Sequence, residues 1–110
     1  MSRPNKYNAI KKDWYDSTKE SKRAKELQLM EKAGVIQKLR EQFWFVLLPT
    51  FQHKGTTYRG IKYVADFVYE RDWQTIVEDV KSDFTRKLPV YVMKKKLLLA
   101  QNPNLIFLES

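Results

Sequence analysis

Two stretches, Tyr63-Val64-Ala65-Asp66-Phe67-Val68-Tyr69 and Ile76-Val77-Glu78-Asp79-Val80-Lys81, decide how this chain folds. Both read as strands, because apolar and β-branched residues alternate or nearly alternate with the rest. Charges interrupt them at Asp66, Glu78, Asp79 and Lys81. Residues two apart on a strand share a face, so Asp79 and Lys81 point the same way. If the two strands pair as a hairpin around residues 70–75, Asp66 comes close to that pair. Two carboxylates and one lysine at the edge of a small sheet can hold a divalent metal and a water for phosphodiester attack.

Other elements follow on either side. Residues 1–16 are polar and basic, contain Pro4, and read as a flexible arm. Ser17-Thr18-Lys19-Glu20 has the form of a capping box and predicts a helix start, with the helix ending near Ala33-Gly34. Val35 to Arg40 reads as a turn or further helix, and residues 42–48 as the first strand, stopped by Pro49. Residues 50–60, with Gly55 and Gly60, form a connecting loop or hairpin turn. Pro89 suits the first turn of a second helix over residues 90–100. Residues 105–109 make a last short strand. The order is helix-strand-strand-strand-helix-strand, an α/β (α+β) chain in one domain over residues 17–110.

Composition narrows the chemistry. The 110 residues carry 21 Lys and Arg against 13 Asp and Glu, a formal charge of +8. Such an excess favours an anionic partner through counterion release and long-range attraction. Cysteine is absent and histidine occurs once, which excludes disulfides, cysteine catalysis and histidine-rich zinc sites. No stretch approaches the ~20 apolar residues of a membrane span, and no signal-peptide core follows the N-terminus. The expected location is the cytoplasm, with no membrane partner. A chain this short buries only about two-thirds of its unfolded surface, so its site is a shallow groove that a homodimer would deepen.

A glutamate in the first helix, an aspartate in the second strand and an acid-x-Lys in the third together resemble the PD-(D/E)xK nuclease superfamily. More closely, the chain looks like a family of small phage and prophage proteins of that superfamily, once catalogued as a domain of unknown function. The likeness runs through Ser17-Thr18-Lys19-Glu20, Ala33-Gly34-Val35-Ile36, Leu39, Gln42, Tyr63 to Phe67, Val77 to Lys81 and the lysines at 94–96. It departs from the superfamily pattern at Ala65, where proline usually precedes the aspartate, and at Asp79, where glutamate is commoner. The resemblance implies a restriction-endonuclease-like core with a central mixed sheet. It also implies Mg²⁺-dependent DNA cleavage, with Mn²⁺ as a substitute, in phage recombination or DNA processing inside the bacterial host. Restriction enzymes and Holliday junction resolvases are relatives, which brings in branched DNA as a substrate.

Each residue has a plainer reading beside this one. Asp66 is the expected bridging metal ligand; otherwise it is an edge carboxylate paired with lysine. Asp79 and the carbonyl of Val80 complete the ligand set. Glu78 belongs on the opposite face of a regular strand and fits a salt bridge, although a bulge would exchange it with Asp79. Lys81 orients water and stabilises phosphate charge, or is simply solvated. Glu20 is either a capping residue or, by the resemblance, an acid that assists at the metal. Gln42 matches a family position at the start of the first strand, where it contacts the site or DNA. Three consecutive lysines on a helix spread over roughly 200°, so not all meet the same groove; Lys94 is the one placed near the scissile phosphate. Lys95, Arg86 and Lys87 touch backbone phosphates or remain solvated. Phe43, Trp44, Phe45 and Phe67 read as core rather than base-stacking residues. A non-catalytic nucleic-acid-binding module is the alternative function. A phage protein whose basic face binds another protein is the third.

Overall fold

The computed structural model describes the backbone of residues 3–110 and the side chains from residue 18 onward. Helix α1 spans Arg3–Lys32. The helix start expected at Ser17 is therefore corrected, because Ser17 lies in mid-helix. Of the arm expected over residues 1–16, Met1 and Ser2 lie outside the described residues, and the backbone from Arg3 is continuous with α1. Pro4 is tolerated in a first turn, where its missing N–H has no intrahelical partner to lose. The Lys, Glu, Gln, Ala and Leu that follow are good helix formers, so propensity carried a signal that apolar periodicity did not.

Gly34 ends the helix in the left-handed region, at φ 82°. Its N–H donates to Glu31 O at 3.0 Å and that of Val35 donates to Met30 O at 2.9 Å, a Schellman cap. The chain turns at once into strand β1, Gln37–Leu48. This corrects the turn or helix expected up to Arg40. Positive φ at Lys38 and Gln42, and a register shift between Gln37 and Arg40, disrupt the alternation that would have announced a strand there.

Strands β2 (Phe51–His53) and β3 (Thr56–Tyr58) form a small separate hairpin. Its two-residue turn, Lys54-Gly55, has φ of 50° and 80°, the combination that tight hairpins require. The chain then folds so closely over β1 at Gly60 that a Cβ there would lie 2.3 Å from Leu48 O. Strand β4 (Ile61–Arg71) turns through Asp72-Trp73 into β5 (Gln74–Asp79). The one-turn helix α2 (Asp83–Arg86) and helix α3 (Pro89–Gln101) follow, then strand β6 (Ile106–Glu109). Ser82 caps α2, and Pro89 begins α3.

The main sheet has the order β1-β4-β5-β6. The first two pairings are antiparallel and β5–β6 is parallel, so the sheet is mixed and α3 lies on its crossover. This is the α/β architecture of a restriction-endonuclease-like core. No helix is long and apolar enough to cross a membrane among the described residues.

Two apolar clusters flank the sheet. Leu27 of α1 packs with Ile36, Phe67, Tyr69 and Ile76. Leu98 of α3 packs with Leu47, Tyr63, Ala65, Val68 and Val77. Membership of these clusters exposes a change of side. Leu39 and Phe67 belong under α1, whereas Phe43 and Ala65 belong under α3. Residues an even number apart share a face in a regular strand, so β1 and β4 both switch faces near Gln42 and Asp66.

Candidate active site and metal centre

Asp66 and Gln42 stand opposite each other at this switch, between the pairs Glu41↔Phe67 and Phe43↔Ala65. On its other side β4 follows β5 only as far as Phe67↔Glu78. Beyond that pair the strands exchange side-chain contacts. The N–H of Asp66 donates to Asp79 Oδ1 at 2.8 Å, and that of Val80 donates to Asp66 Oδ2 at 2.9 Å. Each carboxylate satisfies a backbone donor on the other strand, which fixes both where the ladder opens.

Lys81 supplies the positive charge. Its ammonium lies 3.3 Å from Asp66 Oδ2 and 3.7 Å from Asp79 Oδ1. The Lys81 N–H donates to the carbonyl of Ser110, and the Ser110 N–H to that of Asp79, so the backbone beyond β5 is tied to the chain leaving β6. Asp79 is fully buried, and its second oxygen accepts the Tyr63 hydroxyl. Burial pushes its carboxyl above the usual aspartate range, against the Asp66 N–H and the Lys81 charge, which pull it down.

Glu20 joins from α1. Gln42 Nε2 donates to Glu20 Oε2 at 2.9 Å and lies 3.4 Å from Asp66 Oδ1. Burial raises the Glu20 carboxyl, and the neighbouring charge of Asp66 raises it further. Glu20 therefore reaches Asp66 through an amide, not as the cap of a helix end.

Glu78 is placed quite differently. It is buried on the α1 side, accepting from Arg23 Nε at 2.5 Å and Arg23 Nη2 at 3.0 Å. The Tyr69 hydroxyl donates to it at 2.8 Å. Burial and this carboxylate push the Tyr69 hydroxyl up to about 12. The alternatives left open by the sequence thus separate: Asp79 faces Asp66 and Lys81, while Glu78 faces Arg23.

Two of the other basic residues singled out form ion pairs of their own. Lys95 pairs with Glu109 at 3.3 Å and lies over the Phe107 ring. Arg86 lies 3.6 Å from Asp83, with its Nε buried and lacking a hydrogen-bond partner. Lys87 is exposed and Lys94 half-buried. Tyr63, Tyr69 and Arg23 escaped the sequence reading, since each acts across strands or from the helix. Trp44 is a correction: it is 60% exposed rather than core, because the face switch turns it away from α3.

No three of His, Cys, Asp and Glu among the described residues are grouped to hold a metal ion. Carboxylate oxygens are the donor type that a hard divalent cation takes. Asp66 and Asp79 offer oxygens, and one cation, the Lys81 ammonium, is already within reach of both. Mg²⁺ commonly takes one or two carboxylates and keeps several waters.

No curated protein and no solved structure matches the chain. A family model described as protein of unknown function (DUF1064) matches residues 4–108. With that match spanning nearly its whole length, the chain belongs to the DUF1064 family, and its mixed sheet is consistent with a PD-(D/E)xK-like nuclease.

Proposed function

We propose that this protein is a Mg²⁺-dependent DNA endonuclease of PD-(D/E)xK type, acting in phage recombination or DNA processing. The observation that carries the reading is the bridge of one lysine between two facing carboxylates at the point where β4 and β5 part. A purely binding surface gains nothing from carboxylates that repel phosphate.

Asp66, Asp79 and the carbonyl of Val80 would hold the ion, with Glu20 assisting through water. When bound, Mg²⁺ supplies Lewis acidity and lowers the pKa of a coordinated water. The chain's own residues do the rest. Val80 N–H and Tyr63 keep the two carboxylates aimed, and Gln42 holds Glu20 beside Asp66. Lys81 orients the attacking water and stabilises charge on the phosphate as the P–O bond to the leaving sugar oxygen breaks. Mn²⁺ would be held by the same oxygens of Asp66, Asp79 and Val80.

Cleavage of labelled linear, flapped and four-way DNA with Mg²⁺, Mn²⁺ or EDTA tests the proposal. Cutting should need metal and should disappear in Asp66→Ala and Lys81→Ala. Binding without cutting in any metal, unchanged in both variants, would replace it with a non-catalytic binding module.

A further inference from the structure

Beyond the face switch, β1 and β4 continue as a ribbon with one covered side. Phe43, Phe45 and Tyr63 turn toward the α3 cluster. Their alternates Trp44, Val46 and Val64 turn the other way and are all exposed, Val46 at 61%. Trp44 follows Gln42 by two residues and Val64 precedes Asp66 by two, so this face begins about 7 Å along the strands from the acid group. Trp44 thus presents a largely exposed indole beside the candidate active site.

Charge identifies its chemistry. The Lys62 ammonium lies 3.8 Å from the centre of the Trp44 ring. Past it opens a cleft of about 530 Å³, floored by Val46, Leu48 and Pro49 and edged by Arg59 and Lys62. Among the described residues, two cations and no carboxylate line it. A partner that suits an exposed aromatic face, apolar ground and two cations is both flat and anionic. Unpaired nucleotides have that character. Duplex DNA does not, because its bases are stacked on one another and offer no free π-face, whereas single strands stack readily on aromatic side chains.

We infer that this ribbon face binds a single-stranded stretch of DNA leading to the Asp66–Asp79–Lys81 site. Trp44 stacks on a base, and Lys62 leaves its exposed ring contact to join Arg59 on the phosphates. The substrate of the proposed nuclease is then DNA with an unpaired segment beside the scissile phosphate. That last step rests on the nuclease reading; the binding surface does not.

Fluorescence anisotropy in EDTA separates the two, using labelled oligothymidine and a hairpin duplex of equal length. Trp44→Ala should weaken single-strand binding about tenfold and leave duplex binding within about twofold. Trp44→Phe, which keeps an aromatic face, should recover most of the loss, and Lys62→Gln should lower the salt dependence of binding by about one counterion. Equal loss on both DNAs, or none on oligothymidine, overturns the inference. So does sedimentation showing that Trp44→Ala splits a dimer without altering DNA binding. If Trp44-dependent binding holds but no metal supports cleavage, the nuclease reading alone fails. If cleavage occurs and Trp44→Ala binds oligothymidine normally, the surface alone is wrong.

Discussion

Glu78 and Asp79 are sequence neighbours with the same formal charge and nearly the same burial, yet opposite sides of the sheet give them opposite fates. Glu78 meets a two-pronged arginine and a tyrosine hydroxyl under α1, and Arg23 otherwise pairs with the exposed Glu26. Asp79 shares a single lysine with Asp66, and burial drives its carboxyl upward. One acid is neutralised by the fold; the other is held with less positive charge than it needs. A site that keeps unmatched negative charge in a fixed position is suited to receive a cation.

The widest gap between the two acids is expected in activity. Asp79→Asn should reduce DNA cleavage about 10³-fold or more, on the scale of removing a group that stabilises charge in the transition state. The protein should stay folded, since an amide can still accept the Asp66 N–H. Glu78→Gln should cut at near the wild-type rate under conditions where it is folded. Comparable loss in both variants would erase the distinction.

Stability should invert the ranking. Glu78→Ala strands the Arg23 guanidinium and the Tyr69 hydroxyl, and should cost roughly 2–4 kcal/mol, discounted for the part of Arg23 that reaches solvent. Urea unfolding monitored by circular dichroism measures it. A cost below that of Asp79→Asn would mean that the Arg23 pair contributes little.

Gln42→Ala sharpens the comparison further out, at the residue linking Glu20 to Asp66. Loss of such an outer contact should lower activity or metal affinity about tenfold, without changing the unfolding midpoint. The smallest effect expected is on pH dependence. Asp79 and Glu20 are raised above ordinary values of 3.8 and 4.5, so the folded state holds protons that the unfolded state releases. Their contribution is fully present below those ordinary values and is lost as pH rises through the folded ones. Asp79→Asn should therefore flatten the fall in stability with rising pH, as read from unfolding midpoints at a series of pH values. An unchanged slope would place the proton elsewhere.

Much of this was legible beforehand, and the misses share a cause. The acid-x-Lys spacing placed Asp79 and Lys81 together, and Asp66 entered through simple hairpin pairing. The order along the chain of the main-sheet strands and of α3 followed from alternation and from Pro89. The start of β1 was missed because positive φ at Lys38 and Gln42 interrupts the alternation that marks a strand. Trp44 was misplaced for a related reason. It lies in the apolar run Phe43–Leu48, which reads as buried on both sides until the face switch is known.

By itself the sequence determined the basic charge, the absence of thiol chemistry and the strand alternation on either side of the face switch. These are local properties, set by composition and by a period of two. The tertiary structure decided which carboxylates meet, which acid Arg23 pairs with and which face of β1 holds Trp44 exposed. Those depend on register between strands and on a helix crossing tens of residues away in the chain, which no local period can encode.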